Sequence, residues 1–365
     1  MRNTCKWSKS AWLCSLLVLA CSRQLAAEPP PFRPLVVRHA RTLRNKLMTV
    51  VVRDGRIAEV LPDDAEVAGE TPANRFDAAG RWMLPAFIDS HVHAAYLKTI
   101  VRDPNRGVAG AVDLGMPVDA MGTRIPGLEL LVAGPLLTAS RGYPTQGWGS
   151  AGYGLEVAGP GEAGAVIEQL VAKNARVVKL AFSEPPTLDE ATARAIVEAA
   201  HARGLKVAAH ALTDAHAALA ARVGCDVLAH TPVEPLAEAT FAAWSAKAVI
   251  STLAAFGGGG AAIANLHELR ARGATVMYGT DFGNSTAVGI QNAEVFALLR
   301  AGFDMSAIVD AATRVPAAYW GFDGLGAVAV GQRASFFFTA DSPIDRPDTL
   351  AVPIRVFIDG GERRP

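Results

Sequence analysis

Cysteine is nearly missing from this chain. The 365 residues hold four, and Cys5, Cys14 and Cys21 all fall in its opening stretch. Only Cys225 remains in the folded part, so no internal disulfide can form and burial must hold the structure together. Cys225 sits in Val223-Gly224-Cys225-Asp226, ahead of an apolar run, and reads as a small buried residue rather than a nucleophile. Excess charge of one sign is also lacking: Lys+Arg and Asp+Glu both number 35, and the pI is about 7.1. With no long basic run and no basic-aromatic patch, nucleic acid is excluded as a partner. No apolar stretch is long enough to span a bilayer; the most apolar, Ser10 to Ala20, is too short. What remains is 50% hydrophobic and 19% charged. That composition and length fit one large α/β barrel with a small appendage better than several equal domains.

Arg2, Lys6 and Lys9 precede the run SAWLCSLLVLA. A positive head followed by a short apolar run marks residues 1–20 as a secretory signal peptide, to be set aside from the fold. The run ends in Val18-Leu19-Ala20-Cys21, which resembles the bacterial lipoprotein box. That resemblance implies a lipidated Cys21 and a periplasmic or outer-membrane lipoprotein of a bacterium. Leu19 departs from the usual pattern, and ordinary cleavage nearby, after Ala27, is the alternative. One acyl chain anchors marginally, so stable attachment needs the multiple chains such lipoproteins carry. Residues 21–34 are a Pro-rich, extended linker.

From Leu35 to residue 81 the texture is short strands and turns. Thr49-Val50-Val51-Val52, Asp54-Gly55 and Ile57-Ala58-Glu59-Val60 read as a hairpin. From Trp82 apolar strands alternate with Ala-rich helices. Strands are expected at 83–90, 108–114, 129–133, 176–182, 206–211, 226–230, 248–252 and 275–280. Helices are expected at 188–203, 213–223, 235–246, 261–272, 291–301 and 305–313. Thr187 is expected to cap the first of these, and Gly204 to end it. Residues 115–165, rich in Gly and Pro, read as long loops. Gly257 to Gly260 reads as a flexible loop. Eight strands with crossovers predict a (β/α)8 TIM barrel over 82–323. Residues 324–365 return to β texture and are expected to pair with 35–81, so that the barrel is inserted in a small split β-sandwich.

The chemistry-bearing stretch is Pro85-Ala86-Phe87-Ile88-Asp89-Ser90-His91-Val92-His93. Alternation along a strand points His91 and His93 the same way. Two such imidazoles suit a borderline metal such as zinc, though strand-end histidines also serve as satisfied core residues. Lys179 in Val177-Val178-Lys179-Leu180, His210 in Val207-Ala208-Ala209-His210, His230 in Val227-Leu228-Ala229-His230, and Asp281 in Tyr278-Gly279-Thr280-Asp281 occupy the same kind of place. Each alone has an ordinary explanation: a snorkelling lysine, a buried histidine, a helix cap. Together they fall on strands one, four, five, six and eight of a barrel whose active face lies at the strands' C-terminal ends. His39, His201, His216 and His267 lie elsewhere and read as surface or packing residues.

The ordered set is identified as a member of the amidohydrolase superfamily, in its binuclear-metal branch. The run from Val207 to His230 resembles the subgroup of Xaa-Pro dipeptidases and imidazolonepropionase-like proteins. Gly326 to Ala334 resembles that family's return to the sandwich, with Ser335 where an Asp is usual. The resemblance implies that His91, His93 and Asp281 hold one divalent cation and His210 and His230 a second, with zinc suggested by ligand type. Lys179 would be carboxylated and bridge them, since a bare ammonium has no lone pair to give. A metal-bridging hydroxide would attack a small amide such as a dipeptide or N-acyl amino acid, with Asp281 as the catalytic proton carrier. The alternatives are a mononuclear deaminase, a cyclic amidase or lactonase, and a non-catalytic barrel that binds a small molecule. Deaminases of the family place a glutamate three residues after the strand-five histidine. Here that position is Thr213, followed by Asp214, which favours hydrolysis. Oligomeric state and substrate leave no readable pattern. Arg102, Arg141 and Tyr143 lie in loops near the barrel mouth.

Overall fold

The computed structural model describes residues 34–96 and 106–363. The signal peptide, Cys21, the linker up to residue 33 and Arg102 lie outside the described residues. The chain from Pro34 onward folds as a mixed α/β protein with parallel sheets at its centre. No described helix is long and apolar enough to cross a membrane.

Both ends of the described chain enter one mixed sheet. Its first strands are β1 (Leu35–Arg41), β2 (Leu47–Arg53), β3 (Arg56–Pro62), β4 (Arg75–Asp77) and β5 (Trp82–Pro85). The β2–β3 turn has Asp54 at φ 51 and Gly55 at φ 73, the left-handed pair that a tight hairpin turn requires. The region expected to be one strand over 83–90 is two elements. Trp82–Pro85 pairs with the terminal sheet, and β6 (Phe87–Val92) starts only after Ala86. Proline removes a ladder donor and lets the chain leave one sheet for another.

Next come β7 (Val108–Asp113), β8 (Glu129–Val132), β9 (Leu136–Thr138), β10 (Gly154–Glu156), α1 (Ala163–Ala172) and β11 (Val177–Ala181). The segment 115–165, expected to be loops around the strand at 129–133, therefore contains two further short parallel strands, β9 and β10, and the start of a helix. Their three-residue length leaves no periodicity to read. After these the chain alternates strictly: α2 (Glu190–His201), β12 (Lys206–His210), α3 (Asp214–Val223), β13 (Val227–Leu228), α4 (Glu238–Trp244), β14 (Ala248–Ile250), α5 (Gly260–Ala271) and β15 (Thr275–Met277). Helices α6 (Asn292–Arg300), α7 (Met305–Ala312) and α8 (Arg314–Trp320) follow. Asp189, not Thr187, caps α2 by accepting the Thr192 N–H at 2.8 Å. Gly257 and Gly258 make a turn, and the tract's last residue, Gly260, already begins α5.

Strands β9 to β15 form a seven-stranded parallel sheet in the order β10-β9-β11-β12-β13-β14-β15, and β6-β7-β8 form a parallel three-stranded one. Hydrogen bonds run between them: Arg176 N–H to Val132 O at 2.9 Å, and Ser90 N–H to Tyr278 O at 3.0 Å.

The chain returns to the terminal sheet with β16 (Phe336–Thr339), β17 (Arg355–Ile358) and β18 (Gly361–Arg363). Alternation in Phe336-Phe337-Phe338 lets one strand serve two cores. Phe336 and Phe338 pack with Phe357 in the terminal-sheet core, while Phe337 meets Phe87 of β6 at 5.8 Å. Ser335, the departure from the family pattern, accepts the Asp359 N–H at 3.1 Å, and Arg333 donates twice to the Asp359 carboxylate.

Trp244 is 1% exposed, and its Nε1 donates to Ala217 O at 3.0 Å. Trp244→Ala would empty a large core volume and remove that hydrogen bond. It is expected to cost about 3–5 kcal/mol in urea unfolding. A loss below about 1 kcal/mol would show that α3 and α4 are not packed through this ring.

Candidate metal centre

Every residue of β6 is buried, including Asp89 and His91. A carboxylate in so apolar a strand needs partners. Asp89 accepts the His91 N–H at 3.1 Å, the Thr280 N–H at 3.0 Å and the Thr280 hydroxyl at 2.5 Å. It thereby ties the first histidine to the residue before Asp281, 191 positions later. Burial pushes the Asp89 carboxyl up to about 7 despite these bonds.

His93 follows β6 directly, its N–H bonded to Phe282 O at 2.6 Å. Its ring lies on Gly115, where a Cβ would stand 2.6 Å from it, so only glycine lets the imidazole sit there. Buried Asp113 holds this turn by accepting the Ala94 and Gly115 N–H groups at 2.7 and 2.9 Å.

The imidazoles are aimed by their other ring nitrogens. His91 Nδ1 lies 2.9 Å from Ala229 O, His93 Nδ1 3.2 Å from Gly115 O, and His230 Nδ1 3.1 Å from Thr252 Oγ1. A carbonyl can only accept, so Nδ1 of His91 and of His93 carries the proton, which leaves Nε2 of a neutral His91 ring with a lone pair. Burial, reinforced by the Lys179 charge, pushes His91 far down and His210 down to about 3. His230 is also pushed far down, by burial and then by the charges of His91 and Lys179. These three are therefore neutral, the state that ligates metals. Burial opposes protonation of His93 too, but the neighbouring Asp281 carboxylate outweighs it and raises that ring.

Asp281 has φ 51, in the left-handed region that Asp tolerates better than most residues. Its Oδ1 lies 3.4 Å from His91 Nε2 and 3.1 Å from His93 Nε2, and its Oδ2 accepts from Asn284 Nδ2 at 3.1 Å. Neither approach to Oδ1 has hydrogen-bond geometry: Oδ1 and His91 Nε2 are both buried without a partner. Two lone-pair groups facing each other unbridged in the interior are costly. A divalent cation between them would satisfy both, and His91, His93 and Asp281 present ligand atoms within 4.8 Å of one another.

Lys179 is the third residue of β11 rather than its end, and is 1% exposed. Burial brings its amine down to about 7, only partly countered by Asp281. His210 ends β12, and His230 lies two residues past β13. Ring centroids are 5.0 Å apart for His210–His230 and 4.5 Å for His91–His230. Lys179, His93, His210, His230 and Asp281 line one cavity of about 380 Å³, with His91 beneath it. The structure thus brings together all six residues singled out in the sequence. The other four histidines lie outside this set: His39 contacts Asp77, His201 contacts Asp226, His267 contacts Ala301 O, and His216 is half-buried on α3. Cys225 is fully buried and its thiol is pushed up by burial.

Residues 82–362 match the family described as "Amidohydrolase family". The chain belongs to the amidohydrolase family. A dihydroorotase of Anaeromyxobacter sp. (strain K) is 30% identical over 174 residues, 44% of this chain and 37% of that protein. The matched part therefore spans little more than a third of the length of that curated relative. Among solved structures, a Bifidobacterium longum protein provisionally called a prolidase superposes with a TM-score of 0.79 at 22% identity, over 92% of this chain and 96% of that one. A Xaa-Pro dipeptidase with bound methionine superposes with a TM-score of 0.78 at 17% identity, over 91% of this chain and 100% of that one.

Other residues of this amidohydrolase site escaped the sequence reading. Asp89 was detectable, as a carboxylate inside an apolar strand. Gly115, Thr252 and Glu294 carry no local signal, because their partners are far along the chain. Glu294 of α6 is fully buried and accepts the Leu253 and Ala254 N–H groups at 3.1 and 2.7 Å. It fixes the turn that bears Thr252 and Phe256, both against His230. Burial raises its carboxyl from 4.5 to about 7. The folded protein thus keeps this proton in a window where the unfolded chain has lost it. The associated stability is complete below 4.5 and is lost as pH rises through about 7. Between about pH 5 and pH 8 the wild type is expected to lose on the order of 2–3 kcal/mol through this group. Glu294→Gln should shrink that difference in urea unfolding. An unchanged difference would assign the pH dependence to other groups.

Proposed function

We propose that this protein is a metal-dependent hydrolase of a small amide, such as a dipeptide or N-acyl amino acid. The observation that carries the reading is the buried, unpartnered pair His91 Nε2 and Asp281 Oδ1, with Asp281 lining a cavity alongside Lys179, His210 and His230. His91, His93 and Asp281 would hold one divalent cation, and His210 and His230 a second, zinc being favoured by the imidazole-rich set. When bound, such ions supply a water of lowered pKa and a polarised carbonyl.

The chain's own residues do the rest. The buried Lys179 amine, in its neutral form, would add carbon dioxide: the nitrogen lone pair forms the N–C bond as one C=O π pair moves onto oxygen, one N–H proton passes to solvent water, and the two carbamate oxygens become available as ligands. Asp281, oriented by Asn284, takes the proton from the attacking water and gives it to the departing amine nitrogen. The position at which a deaminase would carry its glutamate is Thr213. Its hydroxyl is already used, accepting the His216 N–H at 3.2 Å to cap α3.

The fold reading that accompanies this is a closed (β/α)8 barrel over 82–323, set into a split β-sandwich of 35–81 and 324–365. The Ser90–Tyr278 hydrogen bond and the Val92–Phe282 bridge support closure between first and last strands. The dipeptidase likeness supports the small-amide reading. Export by the signal peptide to the periplasm, with anchoring through a lipidated Cys21, belongs to the same proposal.

Elemental analysis of the purified protein tests it, joined to a screen of dipeptides, N-acyl amino acids, simple amides and lactones. Two equivalents of divalent metal, amide turnover and its loss on chelation are expected. A fully metallated protein that turns over none of these amides would sink the reading.

A further inference from the structure

We infer that the amide taken by this site carries an uncharged aromatic ring beside the scissile bond. This rests on the hydrolase reading above and narrows its substrate. Only 7% of the chain is aromatic, yet four such residues, Tyr96, Tyr143, Trp148 and Phe256, face the one cavity that holds the candidate ligands. Three of them abut three different imidazoles. Tyr143 stacks on His210 at 4.9 Å and 29°, Trp148 meets His93 at 5.3 Å, and Phe256 meets His230 at 4.7 Å. None of the four is buried, so each keeps area for a ligand.

The slot is also built in advance. Trp148 Nε1 donates to Tyr143 Oη at 3.0 Å, which locks the two rings at 66° to one another. Tyr96 backs Trp148 at 5.7 Å and 86°. Rings fixed before binding lose little freedom when a flat group packs against them, and offset or edge contacts are the arrangements π-systems prefer. The volume of about 380 Å³ suits a ring and one amide group, near the lower end for small-molecule sites.

Charge points the same way. Among the described lining residues the only cation is Lys179 and the only carboxylate Asp281, and the metal centre uses both. Arg141 is exposed and lines a neighbouring cleft that also contains Glu184. A substrate carboxylate pressed among the rings would be desolvated without a partner, which is costly. The inference thus favours neutral ring-bearing amides over free dipeptides.

The test uses the metal-loaded full chain and five compounds. These are N-methylacetamide, the N-methylamides of phenylacetic and cyclohexylacetic acid, N-benzylacetamide, and the N-methylamide of 4-carboxyphenylacetic acid. At least one neutral ring compound should exceed N-methylacetamide in kcat/KM by on the order of 10²-fold. The cyclohexyl compound should fall between, and the carboxylated ring should be at least about tenfold poorer than its neutral parent. Trp148→Ala should lower the ring-to-methyl ratio about tenfold, chiefly through KM. A ring advantage below about threefold in both arms, or preference for the carboxylated ring, overturns the inference. Calorimetric titration of the N-methylamide of phenylacetic acid into metal-free protein separates the two readings. Binding that Trp148→Ala weakens supports the ring slot even where no amide is hydrolysed, and absence of binding there overturns it.

Discussion

Lys179→Ala is expected to lower kcat/KM by on the order of 10³ or more and to reduce bound metal from two equivalents to one or fewer. Lys179 is the sole charged residue of β11, whose five residues, Val177 to Ala181, are all buried. Nothing in packing asks for an amine there, and an apolar side chain of like length would fill the strand better. What packing does supply is desolvation, which brings the amine to about 7 and leaves a lone pair available at neutral pH. Lys179→Met separates chemistry from volume. It should keep or raise thermal stability while losing activity and metal as the Ala variant does. A wild-type preparation refolded without carbon dioxide should be poorly active and recover on adding bicarbonate. Two-metal occupancy with activity within about tenfold of wild type in both variants would remove Lys179 from the centre.

Asp281→Asn is expected to cost a similar factor, on the order of 10³ in kcat/KM, and to loosen the metal proposed for His91 and His93. The variant is informative because of the backbone. Asp281 has φ 51, a conformation that Asn accepts as readily as Asp, so the replacement changes charge and proton affinity without straining the turn. Asn284 and the paired N–H groups of the turn, Asn284 and Ser285 to Asp281 O at 3.0 and 2.9 Å, should stay in place. The measurement is release of metal to a competing chelator, run beside turnover. Unaltered release together with activity within about tenfold of wild type would rule out both proposed roles, ligand and proton carrier.

The six candidate ligands are legible in the sequence because their signal is local. A polar residue ending or interrupting a short apolar run stands out, and strand order along the chain then sorts the set. The same logic made the helices α2 to α7 and the Asp54–Gly55 hairpin readable, since each rests on periodicity or turn chemistry within a dozen residues. It failed at β9 and β10, three residues each, and at residues 82–92, where one apolar run serves two sheets.

By itself, then, the sequence determined which side chains are the candidates for the chemistry and that strands and helices alternate around them. Tertiary structure alone decided how those side chains are aimed. Asp89 reaches across 191 positions to Thr280, His91 Nδ1 across 138 to Ala229 O, and Glu294 back to Leu253 and Ala254. The rings of Tyr143, Trp148 and Phe256 meet the imidazoles from two separate loops. The physical reason is one of range. Propensity, capping and periodicity act over a few residues and print themselves on the chain. Desolvation, ligand orientation and cavity shape arise between segments distant in sequence, and take their values only once those segments pack together.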